Sequence, residues 1–167
     1  MAVTHEIFRS WRQPRAVVRD LLMQGKREDR AIGYLMVGCF IIFVSQLPRL
    51  ARTAHLSDGD VARLAGYEFL SWLIVWPLAL YGLAALSRLA AMAMGGQGSW
   101  FGARLSLFWA VLALAPATVL YGLTSGLLSN DPGRFDAVDL TGLVWLGGFL
   151  WIWLSGLVET ERAEVPA

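Results

Sequence analysis

The sequence predicts an all-α fold, a polytopic transmembrane helical bundle with four spans and an N-terminal amphipathic interfacial helix. Composition is the first indication, because 56% of the 167 residues are hydrophobic and only 16% are charged. A water-soluble domain has about a quarter of its residues charged. The second indication is four apolar segments, each long enough to cross about 30 Å of hydrocarbon. The length leaves no room for a second domain.

Charged or polar residues bound each of the four apolar segments. The first contains no charged residue and lies between Arg30 and Arg49, the second stops at Arg88, the third follows Arg104, and the fourth stops at Glu159. Apolar side chains surround all four predicted helices, which is typical of lipid-embedded helices. The predicted spans are residues 31–47, 69–87, 105–128 and 140–158.

The distribution of basic residues predicts the orientation, because Lys and Arg stay on the cytoplasmic side of short loops. With the N-terminus inside, ten of the fourteen Lys and Arg residues are cytoplasmic: Arg9, Arg12, Arg15, Arg19, Lys26, Arg27, Arg30, Arg88, Arg104 and Arg162. Both termini are therefore predicted to be cytoplasmic, with residues 159–167 as an acidic tail. The excess of Arg over Lys indicates a bacterial source, and hence the bacterial cytoplasmic (inner) membrane.

Residues 1–30 form a cytoplasmic amphipathic segment. Pro14 suits the first position of a helix and Gly25 suits its end. Between them, four apolar residues share the face opposite the charged Arg15, Arg19 and Asp20: Val17, Val18, Leu21 and Leu22. The helix has two interpretations: it lies on the membrane surface with its arginines on anionic headgroups, or it caps the bundle or a partner.

Six residues are predicted to be interfacial anchors where the chain meets the headgroups: Arg15, Arg19, Arg88, Arg104, Trp72 and Trp100. Outside the membrane, Ser57 and Asp60 have the spacing of a capping box ahead of the second span. Asp136 and Asp139 are expected to complement the positive end of the fourth helix rather than to bind a metal.

The predicted spans contain no Asp, Glu, His or Lys, so they lack the groups that catalysis or ion coupling needs. His5 and His55 lie on opposite sides in the predicted topology, and Cys39 is interpreted as packing. The glycine-rich residues Gly95, Gly96, Gly98 and Ser99 lack the lysine of a phosphate-binding loop and predict a tight turn. We expect no enzyme, cofactor or metal site, and the net charge of +1 argues against a nucleic-acid partner.

Two prolines interrupt the second and third predicted spans at similar depths. Pro77 and Pro116 each leave the carbonyl four residues earlier, on Leu73 and Leu112, without its helical donor. A hinge or small polar cavity between the two spans is one interpretation, and two kinked packing helices are the other. The four-residue spacing of Gly122 and Gly126 favours close helix packing, either within the chain or between two copies.

Residues 86–116, LSRLAAMAMGGQGSWFGARLSLFWAVLALAP, precede a tryptophan-rich VWLGGFLWIWLSGL. With the stretch from Pro14 to Leu21, this pattern resembles the Yip family of multi-pass membrane proteins, in particular its bacterial branch, over residues 8–160. The family is named for binding small Ypt and Rab GTPases in eukaryotes. The resemblance implies five spans, where this chain shows four, and no catalytic residues. An uncovered helix face would then be open to a partner.

The resemblance and the uncharged spans together predict a non-catalytic integral membrane protein. Its expected role is that of a scaffold or accessory subunit of a membrane complex, or in membrane organisation. The alternative is a small transporter or channel component that uses the kinked hairpin. The expected partners are membrane lipids and either another protein or further copies of the chain in the membrane.

Overall fold

The computed structural model describes residues 3–57, 60–128 and 137–162, and these fold entirely into helices and turns. The helices are α1 (Val3–Ser10), α2 (Pro14–Met23), α3 (Glu28–Ser57), α4 (Val61–Leu70), α5 (Trp76–Ala93), α6 (Trp100–Ala113), α7 (Ala115–Leu127) and α8 (Ala137–Arg162). A π-helical turn, Ser71–Val75, joins α4 to α5. The predicted all-α class is confirmed.

Three helices in the described residues are long and apolar enough to cross a membrane, and there are four if a bent pair counts as one span. The three are α3, the continuous rod of α4 and α5, and α8. The bent pair is α6 and α7, whose axes differ by 48°. The predicted third span, 105–128, is therefore not one straight helix. The helices also extend beyond the predicted spans, since hydropathy marks the apolar segment and not the helix ends.

Two backbone irregularities lie opposite each other in the α5–α6 hairpin. The ring centroids of Tyr81 and Phe108 are 4.8 Å apart, and we use this contact to align the two antiparallel helices. Counting outward from this contact places the end of the π-turn at about the level of Leu114, where α6 ends. By the same count, Pro116 lies about 6 Å further out than Pro77, so the irregularities are level and the prolines are not.

Helix α6 is the centre of the molecule. All of its residues except Trp100 and Arg104 are buried, including the two largest fully buried side chains, Trp109 and Phe108. It is enclosed by α3, α5 and α8 and, on the remaining side, by α1 and α2. A helix that is apolar all round needs such a cover on every side.

Glycines allow α3 to approach α6 and α7 closely. A Cβ atom on Gly122 would lie within 2.7 Å of the Ser45 carbonyl carbon, and one on Gly126 would lie 2.5 Å from Pro48 Cβ. Gly38 of α3 similarly faces Val111. The small-residue strip thus packs inside the chain against α3, which is the first of the two interpretations of Gly122 and Gly126.

Helix α8 packs antiparallel to α6 and α7 and carries a column of aromatic rings. Trp145 stacks on Phe149 at 5.6 Å, and Phe149 contacts Trp153 at 5.5 Å. The Trp145 indole N–H donates to the Thr118 hydroxyl at 2.8 Å, which ties α8 to α7. The helix continues to Arg162, so the predicted tail beginning at Glu159 is helical for its first four residues.

Two predicted caps have different outcomes. Asp60 is itself the N-cap of α4, and its carboxylate accepts the Ala62 N–H at 2.9 Å. The Ser57 side chain, its predicted partner in a capping box, lies outside the described part of the structure. Asp139 lies in the first turn of α8, as predicted. Asp136 lies outside the described residues.

The close approach at Gly122 predicts a specific loss of stability. Gly122→Ala should lower the free energy of unfolding by about 1–3 kcal/mol, because the added methyl group overpacks against the α3 backbone. Gly82→Ala is the matched control, since a Cβ atom there meets nothing within 4 Å. Thermal unfolding in detergent measures both variants, and equal melting temperatures would contradict the packing described.

Candidate functional site

The predicted turn between the second and third spans is present and is built from its glycines. Gly95 ends α5 with a φ of +84°, a conformation that favours glycine. The Gly96 N–H then returns to the Ala91 carbonyl at 2.8 Å, which closes the end of the helix. Ser99 starts α6 as its N-cap and accepts the Gly102 N–H at 2.9 Å.

This turn forms a cradle for a carboxylate from the far end of the chain. Glu161 of α8 accepts the Gly98 N–H at 2.6 Å and two contacts from Arg88, at 3.0 and 3.3 Å. Arg88 is 6% exposed, and a Cβ atom on Gly98 would lie 2.5 Å from the Glu161 carboxylate. The glycines therefore leave space for an acidic side chain that belongs to the protein itself.

Glu159 and Thr160 complete the attachment of this end of α8. Glu159 is 3% exposed and pairs with Arg19 of α2 at 2.6 Å. Thr160 is buried, and a Cβ atom on Gly102 would lie 2.9 Å from it. The sequence predicted an acidic tail here. The neighbouring residues carry no signal that these carboxylates are paired, because their partners lie more than sixty residues away.

The N-terminal helices α1 and α2 form a hairpin that we call the N-terminal hairpin, residues 3–23. The Trp109 indole N–H of α6 donates to the Ser10 hydroxyl at 2.8 Å, and the Trp11 indole N–H donates to the Ala113 carbonyl at 3.0 Å. Val17 and Val18 are fully buried. The apolar face of α2 thus contacts protein, principally α8, as in the cap interpretation.

The N-terminal hairpin reaches deep into the bundle. A Cβ atom on Gly148 would lie 3.5 Å from the Trp11 ring, while Arg19 at the other end meets Glu159. Gly148 and Glu159 are eleven positions apart on α8, which corresponds to about 16 Å along the helix axis. The hairpin therefore stands beside α8 rather than lying across the end of the bundle.

Two arginines lie between these two ends of the hairpin. Arg12 and Arg15 are exposed, and no hydrogen bond or ion pair joins either side chain to another described residue. With the exposed Trp151 and the buried Ser155 of α8, they line a groove of about 500 Å³. We call this surface the arginine groove.

The other predicted anchors have partners within the chain. Arg19 and Arg88 pair with glutamates of α8, and Arg104 pairs with Glu28 of α3. Trp72 is half-buried and stacks on Trp76 at 5.0 Å, whereas Trp100 is exposed. Of the four arginines predicted to meet headgroups, only Arg15 is left without a partner among the described residues.

A second pocket, of about 430 Å³, lies where α7 bends away from α5. Its lining includes Gln46 of α3, Trp72 of the π-turn, Thr118 and Tyr121 of α7, and Trp145 of α8. The Thr118 hydroxyl donates to the Leu114 carbonyl at 3.0 Å. The carbonyl of Leu112, predicted to be free, accepts a backbone N–H at the end of α6.

The two histidines and the cysteine do not come together in the described parts of the chain. No group of three or more His, Cys, Asp or Glu side chains has the arrangement of a metal site there. His5 lies in α1 and His55 near the opposite end of α3. Cys39 is buried in the core.

Comparison of the chain with protein-family models, with curated proteins and with solved structures gives no match. The class of the protein rests on its own residues: an all-α bundle whose described part contains three or four helices able to cross a membrane by length and composition.

The carboxylate cradle predicts a stability change. Glu161→Gln should lower the free energy of unfolding by about 1–3 kcal/mol, because the amide loses the charge-assisted bonds to Arg88 and leaves a buried guanidinium unpaired. Asp29→Asn, at an exposed carboxylate, is the control and should change it by less than about 0.5 kcal/mol. Chemical unfolding of the detergent-solubilised protein measures both, and a larger effect of Asp29→Asn would refute the cradle.

Proposed function

We propose that the chain is a non-catalytic integral membrane protein of the Yip type, a scaffold or accessory subunit of a complex in the bacterial inner membrane. In this proposal it spans the membrane four times with both termini cytoplasmic. The grouping of charge supports the orientation. The N-terminal hairpin, the glycine turn and the inner end of α8 lie at one end of the bundle, with ten of the fourteen Lys and Arg residues.

The arginine groove is the observation that carries the proposed role. The groove lies beside Ser155 and Trp151, which are about 6 and 12 Å from the level of Glu159 along α8. If α8 crosses the bilayer and its span ends at residue 158, Arg12 and Arg15 lie within this distance inside the hydrocarbon. An unpaired Arg there is costly, by up to about 2.5–3.5 kcal/mol at the bilayer centre on insertion scales. Charged residues at this depth face protein or water, and here their exposed neighbour is Trp151. The groove therefore needs a polar partner.

A protein partner fits the groove better than lipid does. Its surface combines two guanidinium groups, which bind carboxylates in pairs of hydrogen bonds, with the exposed indole of Trp151. Arg and Trp are the residue types enriched at the energetic centres of interfaces. A partner helix that carries an acidic residue beside apolar ones supplies both contacts. The partner is either another membrane protein or a second copy of the chain.

The partner site has a direct test. A partner should co-purify with the wild-type chain in native nanodiscs. With the double variant Arg12→Gln and Arg15→Gln, the amount of that partner should fall about tenfold or more, because two charge-assisted contacts are removed. Quantitative mass spectrometry measures the loss. Lys26→Gln with Arg27→Gln is the matched control, since both residues are exposed and lie outside the groove. A wild-type chain that runs as a monomer without any partner contradicts the proposal.

The second candidate function is a small transporter or channel component. The pocket at the α6–α7 bend favours it, because Gln46, Thr118 and Tyr121 bring polar atoms to a cleft between helices proposed to cross the membrane. The π-turn and the break at Leu114 are irregular stretches of backbone, and the helices of a transporter can hinge at such points. The absence of charged residues from the predicted spans counts against ion coupling.

Reconstitution separates the two candidates. A transporter should give solute or ion flux in proteoliposomes that falls severalfold in Pro116→Ala, because a straightened α7 closes the pocket. Pro48→Ala, at a proline inside α3, is the control for proline removal from a continuous helix. The scaffold function predicts no flux above empty liposomes for either variant or for the wild type.

A further inference from the structure

A cavity of about 430 Å³ lies between the N-terminal hairpin and the start of α3, and neither proposed function uses it. Glu6 of α1, Asp20 and Gln24 of α2 and Arg30 of α3 line its polar part, while Tyr34 and Trp109 line its aromatic part. The two rings meet edge to face at 5.0 Å. This volume is within the range of small-molecule sites, about 300–1,000 Å³.

Glu6 is the unusual residue of this cavity. It is 8% exposed, and its Oε1 atom is buried without a hydrogen bond. The exposed His5 ring lies beside this atom, with its Nδ1 3.6 Å away. A buried carboxylate oxygen with no donor is costly, because it has lost water and gained nothing in return. The cavity therefore presents an acceptor that a ligand N–H can satisfy.

Arg9 accounts for the other oxygen of Glu6. Its guanidinium bonds Glu6 Oε2 at 3.2 Å and Asp20 Oδ2 at 2.7 Å, and the hydrogen bond to Asp20 raises the pKa of Arg9, which stays charged. The Arg9 guanidinium between the two carboxylates disfavours binding of a metal cation there. Two carboxylates also fall short of the six to eight oxygen ligands of a Ca²⁺ site. One directional N–H donor, rather than a metal, suits the free oxygen.

The opposite side of the cavity carries a positive charge. Arg30 bonds the Gln24 side-chain oxygen through one nitrogen, and a guanidinium has five N–H donors in all. Its remaining donors can bind an anion in a fork geometry. The cavity thus combines an acceptor for a cationic N–H group with donors for an anion, beside aromatic rings that attract ammonium groups.

We propose that this cavity binds a zwitterion with a primary ammonium and a phosphate, in the form of a phosphoethanolamine group. The ammonium meets Glu6 Oε1 and the phosphate meets Arg30. The expected source is the headgroup of phosphatidylethanolamine, because Arg30 closes the first predicted span, where headgroups begin. Free phosphoethanolamine offers the same chemistry. The inference goes beyond the scaffold function and shares with it only the membrane location.

Native mass spectrometry of the full chain tests the site. The protein is released from nanodiscs that contain equal amounts of phosphatidylethanolamine, phosphatidylcholine and phosphatidylglycerol, and the retained lipids are counted. Phosphatidylethanolamine should be retained about tenfold over the other two, because choline lacks an N–H and the glycerol headgroup lacks an ammonium. Competition by soluble phosphoethanolamine, at concentrations that leave the bilayer intact, measures the affinity of the headgroup alone.

Two variants on different elements separate the site from the fold. Glu6→Gln on α1 and Arg30→Gln on α3 should each reduce the preference for phosphatidylethanolamine about tenfold. Their controls are Glu68→Gln and Arg49→Gln, which break an ion pair at the opposite end of the bundle. Far-UV circular dichroism verifies that each variant is folded. If Glu6→Gln unfolds the hairpin, Arg30→Gln alone decides, since Arg30 bonds the exposed side chain of Gln24.

The outcomes divide clearly. Retention of phosphatidylethanolamine that both variants lose supports the lipid headgroup. Direct binding of phosphoethanolamine, seen as its mass added to the protein, without retention of the lipid supports the zwitterion and assigns it to a soluble source. Equal retention of the three lipids, or a wild-type preference in both variants, overturns the proposal. None of these results bears on the partner proposal, which the co-purification test at Arg12 and Arg15 decides separately.

Discussion

The enclosure of α6 is the constraint on which the rest of the structure depends. Its faces are apolar all round, and nearly all of its residues are buried against other helices. Helices α3, α5 and α8 cover three sides, and the N-terminal hairpin supplies the fourth. The hairpin also satisfies the irregular end of α6, where Trp11 donates to the Ala113 carbonyl next to the bend. A free carbonyl at that depth would cost several kcal/mol in hydrocarbon.

The contact between α6 and α8 explains how the N-terminal hairpin and the end of α8 come together. Small residues, including Gly102 on α6 and Gly156 on α8, let the two helices approach along most of their length. This approach brings the end of α8 to the glycine turn, where Glu161 receives an N–H and an arginine. The hairpin is attached to the same end through Arg19 and Glu159. Helix packing therefore determines where the ion pairs form, and the ion pairs hold the hairpin in place.

Local properties were predictable from the sequence, and long-range partners were not. Apolar length marks the spanning helices, and the glycine turn and the start of α2 at Pro14 follow from backbone preferences of single residues. The face that α2 buries was also predictable, because it follows from the period of 3.6 residues. Its neighbour was not, since the same apolar face suits lipid or protein. Arg88 was predicted as an anchor to lipid headgroups because its partner, Glu161, is 73 positions away.

The two faces of the N-terminal hairpin have opposite requirements, which links the fold to the proposed partner. Its inner face must stay on α6 to cover Trp109 and the Ala113 carbonyl. If α8 crosses the bilayer as proposed, the outer face of the hairpin holds Arg12 and Arg15 beside the hydrocarbon, which provides no water. If the hairpin moved to the membrane surface, the arginines would be solvated but α6 would be uncovered. A partner that pairs the arginines removes this conflict without moving the hairpin. In the proposed complex, partner binding and hairpin docking therefore stabilise each other, and the binding free energy of one adds to that of the other.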